Sequence, residues 1–109
     1  MPLEADLIQA TLEGMKGGPI MYVRRGCPWC REALAFFSSH GVPVEIHDVD
    51  RDYAMLKDLI EVSGQTQTPT FEYGDFIVSD FSVDEFLDEL QERPDIQMRL
   101  GITDDSHIA

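Results

Sequence analysis

The stretch RRGCPWCREAL, residues 24–34, contains both cysteines of the chain, Cys27 and Cys30, separated by a proline and a tryptophan. Three of the eight basic residues also lie in this stretch, although the chain has 21 acidic residues. Such a pair could be a redox-active dithiol in a positive local field, half of a metal site, or a structural disulfide. The surrounding sequence decides among these three alternatives.

Length and composition predict one domain with an ordinary hydrophobic core. The chain has 109 residues, of which 43% are hydrophobic, so a core can form without additional cross-links. The first 18 residues lack the positive start and apolar run of a secretory signal, and no apolar stretch has the length of a membrane span. We therefore expect a cytoplasmic protein, in which a close cysteine pair is more often catalytic or metal-binding than structural.

The chain is strongly acidic, with a formal net charge of −13 at pH 7. A phosphate backbone would be repelled by most of such a surface, which argues against a nucleic-acid-binding protein. An acidic excess most commonly serves solubility. A basic docking surface on a partner protein is the second interpretation.

Strand and helix patterns alternate along the chain, which favours an α/β fold. Residues 3–15 have helical spacing, and residues 20–23 form a short apolar segment typical of a buried strand. A helix is expected from about Cys27 to His40, and residues 42–50 alternate as in a second strand. Because a helix joins these two strands, we expect them to be parallel.

The second half of the chain continues the alternation. A helix is expected to end near Val62, a hairpin turns at Gly74, and Ser82 with Glu85 forms the capping-box pattern that opens another helix. The following segment has only a weak helical pattern. We therefore divide the chain into an N-terminal helical extension over residues 1–19, a domain over residues 20–93, and a C-terminal tail over residues 94–109.

The cysteine pair falls where the first strand ends and a helix begins. A helix N-terminus has unsatisfied N–H donors and a partial positive charge, which stabilise a thiolate and lower the pKa of its thiol. Cys27 is the outer residue and is expected to be this thiolate, with Cys30 one turn further in and near enough to close a disulfide. Pro28 suits the first helical turn. Arg24 and Arg25 add positive potential, although both also fit solvated surface arginines.

The two competing interpretations of the pair are weaker. A structural zinc site needs four ligands, and the chain has no second cysteine pair and no two histidines at the spacing of a zinc site, so no metal is expected. A structural disulfide closing so short a loop would remove little entropy from the unfolded chain. The redox interpretation is therefore favoured.

Residues 22–30 resemble the active-site segment of the glutaredoxins, with a basic residue, Arg24, three positions before the first cysteine and an aromatic residue, Trp29, between the cysteines. Residues 68–71, Thr-Pro-Thr-Phe, resemble the family's Thr-Val-Pro segment. The resemblance implies a thioredoxin-like, four-stranded mixed sheet flanked by helices. It also implies a cis Thr68–Pro69 peptide bond facing the cysteines.

The same resemblance implies a thiol–disulfide oxidoreductase in which Cys27 attacks and Cys30 resolves. Disulfide-bearing proteins are the implied substrates, glutathione or thioredoxin reductase the implied electron donor, and a monomer the expected state. The backbone of Thr68 would pair with the substrate. The residues expected to contact substrate or glutathione are Arg24, Pro28, Trp29, Thr68, Pro69, Asp80 and Phe81.

One segment departs from the glutathione-dependent members of the family. Those proteins have two glycines after the fourth strand, and the backbone at the next helix start holds the γ-glutamyl carboxylate. This chain has Ser79 and Asp80 there, with Asp84 and Glu85 nearby. Each close like-charge contact opposes binding by about 1–4 kcal/mol at an effective dielectric of 20–80. We therefore expect a weakened glutathione site.

Three other functions remain open. Residues 79–84 partly resemble the corresponding segment of ribonucleotide-reductase redoxins, which take electrons from thioredoxin reductase. Glutaredoxin-like proteins can also hold a [2Fe–2S] cluster between two subunits with glutathione as co-ligand, a non-enzymatic role. The third is a redox-inert adaptor that docks through its N-terminal helix and acidic surface, which retention of both cysteines disfavours.

Overall fold

The computed structural model describes residues 18–102, and the elements in this range follow the predicted alternation. The strands are β1 (Ile20–Val23), β2 (Glu45–Asp48), β3 (Thr70–Tyr73) and β4 (Phe76–Ser79). The helices are α1 (Pro28–Ser39), α2 (Tyr53–Ser63), α3 (Val83–Gln91) and α4 (Pro94–Leu100). The helix predicted over residues 3–15 and the N-terminal extension lie almost wholly outside the described residues.

The strands form one mixed sheet in the order β2-β1-β3-β4. Strand β1 is parallel to β2 and antiparallel to β3, while β3 and β4 form the predicted antiparallel hairpin. The parallel pairing of the first two strands is therefore confirmed. Strand β2 is shorter than the predicted 42–50, because the Val42 N–H donates to the Phe37 carbonyl at 2.8 Å and closes the end of α1 instead.

Side chains and glycines at the helix ends satisfy the free backbone groups there. The Asp52 carboxylate accepts from the Ala54 N–H at 2.9 Å and caps α2, which ends at Gly64 with a φ of 71°. The capping box predicted at Ser82 and Glu85 is present at the start of α3. These capping interactions determine where each helix begins or ends.

The core occupies both faces of the sheet. Met21 and Val23 of β1 lie in a cluster with residues of α1, α3 and α4, whereas Tyr22 lies in a second cluster with Leu59 of α2. This alternation is the period-two pattern of a strand that is buried on both faces. Burial and a 2.8 Å hydrogen bond to the Glu72 carboxylate raise the pKa of Tyr22, which therefore stays a neutral donor.

Phe86 of α3 lies at the centre of the larger cluster. Its ring lies between 4.9 and 6.4 Å, centroid to centroid, from the rings of five other phenylalanines, which are Phe36, Phe37, Phe71, Phe76 and Phe81. The cluster also contains Ile96, Leu100 and Ile102. The core therefore continues into the predicted tail, because Ile96 and Leu100 of α4, and Ile102 just after it, are buried.

Truncating Phe86 should destabilise the whole domain. We expect Phe86→Ala to lower the free energy of unfolding by about 3–5 kcal/mol in urea titrations, because a fully buried ring is lost and a cavity remains. Tyr53→Ala is the matched control, since that aromatic side chain is 75% exposed and its loss should change stability by less than about 1 kcal/mol. Equal losses for both variants would contradict this description of the core.

Candidate active site

Cys27 and Cys30 form a disulfide across the first turn of α1, with their Cα atoms 5.2 Å apart. Cys27 is the N-cap residue, and its Sγ accepts from the Cys30 N–H at 3.2 Å. Pro28 is the first helical residue, as predicted. Cys27 is partly exposed whereas Cys30 is only 2% exposed, so an incoming sulfur atom can reach only Cys27 without local opening.

The loop before β3 lies against Cys27. The Thr68–Pro69 peptide bond is cis, as expected, and the Thr68 hydroxyl donates to Cys27 Sγ at 3.7 Å. Pro69 is buried, and its carbonyl accepts from the Asp80 N–H at 2.8 Å. This hydrogen bond connects the proline loop to the segment that follows β4.

Arg24 has two partners on neighbouring segments. Its guanidinium lies 2.7 Å from the Asp50 carboxylate and donates to the Thr66 carbonyl at 2.9 Å. The positive charge expected to act on the cysteines is therefore largely balanced by Asp50. Arg25 is exposed and forms no ion pair with any described residue.

Sequence reasoning missed the role of Asp50, although a signal for it exists. Arg24 directly follows β1 and Asp50 lies two residues after β2, and these strands are parallel neighbours. Residues that follow adjacent parallel strands meet at the same edge of a sheet.

Trp29 and the segment after β4 enclose a cavity of about 410 Å³, which we call the active-site cavity. Its lining residues are Trp29, Asp80, Phe81, Ser82 and Glu85. Trp29 is 52% exposed, while the Phe81 side chain is buried in the core cluster. Asp80 has a φ of 53°, a left-handed conformation that glycine adopts most readily. A carboxylate thus occupies a backbone position that favours glycine.

Residues 18–102 contain no group of three or more histidine, cysteine, aspartate or glutamate side chains arranged to hold a metal ion. In the same range, no helix combines the length and the hydrophobicity that a bilayer crossing requires.

The glutaredoxin family model matches residues 20–78, which are 59 of the 109 residues and include both cysteines and the proline loop. The chain belongs to the glutaredoxin family. Glutaredoxin 3 of Escherichia coli K12 is 35% identical over 49 residues, covering 45% of this chain and 59% of that protein. The aligned segment thus spans less than two thirds of that relative.

Two further comparisons extend beyond that segment. The global transcriptional regulator Spx 1 of Lactococcus lactis is 28% identical over 98 residues, covering 81% of this chain and 77% of that protein. The crystal structure of a glutaredoxin from Archaeoglobus fulgidus has a TM-score of 0.61 at 22% identity, covering 73% of this chain and 91% of that one. The thioredoxin-like fold is therefore confirmed.

Family membership supports thiol–disulfide oxidoreductase activity, and both cysteines lie within the matched residues. The family match ends at Val78, two residues before Asp80. The acidic segment that lines the active-site cavity thus lies just beyond the part of the chain that resembles the family as a whole.

The Thr68 hydroxyl should stabilise the Cys27 thiolate. In Cys30→Ser, which leaves one thiol, we expect the pKa of Cys27 to lie below that of an ordinary free thiol, because the start of α1 and Thr68 both favour the anion. Adding Thr68→Val should raise this pKa, since one donor is lost. Thiolate absorbance measured against pH gives both values.

Thr66→Val is the matched control for this measurement. Its backbone carbonyl accepts a hydrogen bond from Arg24, whereas its hydroxyl forms none with the described residues. The pKa of Cys27 in this control should equal that of the Cys30→Ser parent. An ordinary free-thiol pKa in that parent, or no rise on Thr68→Val, would contradict the assignment of these donors.

Proposed function

We propose that this protein reduces disulfides in proteins, and glutathione mixed disulfides less efficiently, through the Cys27–Cys30 dithiol. The proposal rests on one observation, the difference in exposure between the two sulfur atoms. Cys27 is partly exposed at a helix start beside the cis-proline loop, and Cys30 is buried behind it. A substrate can therefore bond to one sulfur while the other stays protected until it is needed.

In the proposed reaction the Cys27 thiolate attacks one sulfur of the substrate disulfide. The substrate S–S bond breaks, a Cys27–substrate disulfide forms, and the first substrate thiolate leaves and takes up a proton. The Cys30 thiol then loses its proton and attacks Cys27 Sγ, which releases the second substrate thiol and forms the Cys27–Cys30 disulfide. Two electrons have passed from the protein to the substrate, and an external donor must restore the dithiol.

Glutathione is a poor fit to this site for three reasons. Arg24, which would attract one of its carboxylates, is already paired with Asp50. The active-site cavity is lined by the Asp80 and Glu85 carboxylates. In addition, the Ser82 and Glu85 N–H groups at the start of α3 already donate to the two capping-box side chains, at 2.8 and 3.3 Å. Few free donors therefore remain there for a γ-glutamyl carboxylate.

The same observations favour thioredoxin reductase as the electron donor, since a reductase protein does not need a binding site for a tripeptide anion. They also disfavour the [2Fe–2S] function, which requires glutathione beside Cys27 as a co-ligand. Absorbance of freshly purified protein separates the cluster-binding function from the enzymatic one. A cytoplasmic, monomeric protein remains part of the proposal.

Turnover of a peptide disulfide should depend on the donor. With NADPH present, we expect thioredoxin reductase to support faster steady-state turnover than glutathione with glutathione reductase, at equal concentrations of this protein. Cys27→Ser should abolish turnover with either donor. Activity retained by Cys27→Ser would overturn the proposed function, whereas faster turnover with glutathione would overturn only the choice of donor.

Removing the charge of Asp80 should improve the use of glutathione. We expect Asp80→Gly and Asp80→Asn to lower the KM for glutathione by about threefold to tenfold with little change in kcat, because a repulsion present in the bound ground state is removed. Asparagine tolerates the left-handed backbone conformation, so this pair separates charge from backbone freedom. A gain confined to the glycine variant, or a low KM in the parent, would contradict the electrostatic explanation.

A further inference from the structure

A second cavity adjoins the active-site cavity. It has a volume of about 350 Å³ and lies between β4 and α3. Asp80, Phe81 and Glu85 line both cavities, so the two share a wall and adjoin each other. Strand β4 is an edge of the sheet, so the second cavity opens at the side of the molecule. The wall that they share is connected to the cysteine site, because the Asp80 N–H donates to the Pro69 carbonyl and the neighbouring Thr68 hydroxyl donates to Cys27 Sγ.

The second cavity is lined by four carboxylates, and we call it the acidic groove. These are Asp80, Glu85, Asp88 and Glu89, and no lysine or arginine is among the residues that line it. Asp80, Asp88 and Glu89 form no ion pair with any other described residue. Arg93, which follows α3, is already paired with Asp75 and Asp95. The groove thus concentrates negative potential that nothing in the described part of the chain neutralises.

We propose that this protein selects disulfides whose reacting cysteine is flanked by lysine or arginine, with those side chains lying along the acidic groove. The inference rests on the proposed function, because it takes Cys27 as the attacking sulfur. Electrostatic complementarity raises association rates and rejects like-charged partners. A cationic segment gains attraction from three unpaired carboxylates, whereas an acidic segment or the anionic tripeptide glutathione meets repulsion in the same place.

The position of the charges distinguishes this selection from a general effect of the acidic chain. A net charge of −13 attracts any cation weakly, and that attraction is screened beyond about 8–10 Å at physiological salt. The groove carboxylates adjoin the cavity beside Trp29, so they act on the residues next to the substrate cysteine. Removing acids from the groove should therefore change selectivity, and removing as many from a distant helix should not.

The test uses three peptides that differ only in the residues flanking a single cysteine, which are lysine, glutamine or glutamate. Each peptide is presented as its mixed disulfide with 2-mercaptoethanol, so that the partner thiol is uncharged. Pre-reduced protein supplies the electrons, which removes the donor from the experiment. The fluorescence of Trp29, the single tryptophan of the chain, follows one turnover in a stopped-flow instrument.

We expect the lysine peptide to react about tenfold faster than the glutamate peptide at low salt, with the glutamine peptide between them. About 1 M salt should reduce this ratio to near twofold, since exposed charges are screened. Equal rates for the three peptides would overturn the inference and leave the proposed function standing. If none of the peptides is reduced, the proposed function itself fails.

Two matched double variants test whether the preference for the lysine peptide comes from the acidic groove. Asp88→Asn with Glu89→Gln removes two charges from the groove, and Asp58→Asn with Glu61→Gln removes two exposed charges from α2, on the other face of the sheet. The groove variant should reduce the lysine-to-glutamate rate ratio by about threefold or more, and the α2 variant should preserve it. A ratio that survives the groove variant, or falls equally in both, would overturn the inference.

Discussion

The placement of Cys27 on the free N–H groups of α1, against the cis-proline loop, is the constraint on which the rest of the structure depends. Strand β1 ends at the side of the sheet where Cys27 lies. Helix α1 starts there because Pro28 fits its first turn. The phenylalanine cluster around Phe86 holds α1 on the sheet. Small displacements of α1 would separate Cys27 from the Thr68 hydroxyl, so core packing and sulfur chemistry are coupled.

Around this arrangement of the backbone, charged and hydrogen-bonded groups support the proposal that glutathione binds weakly. Arg24 is balanced by Asp50, and Asp80 stands at a left-handed position that suits glycine. The capping box that stabilises α3 also occupies N–H groups that an anionic ligand would need. In the proposed function, the same acidic residues disfavour glutathione and offer a surface to cationic substrate segments.

Several features of the site could be predicted from the sequence, because interactions between adjacent residues determine them. The helix start at Pro28 and the capping box at Ser82 each depend on a few adjacent residues, whereas the cis Thr68–Pro69 bond was expected from the resemblance to the glutaredoxins. The Arg24–Asp50 pair, the packing of α4 and the acidic groove depend instead on tertiary contacts between distant segments. Helix α4 in particular has only a weak periodic pattern in the sequence. Its burial depends on the position and direction in which α3 ends.

Trapping the mixed disulfide is the most direct test of whether Cys27 is the attacking sulfur and Cys30 the protected one. Cys30→Ser and Cys27→Ser are each incubated with one peptide disulfide, and mass spectrometry of digests measures the fraction of each cysteine that carries the peptide. We expect nearly complete modification of Cys27 in the first variant and little modification of the buried Cys30 in the second. Equal modification of the two cysteines would contradict this expectation, because the separation of an exposed attacking sulfur from a protected resolving one would be lost.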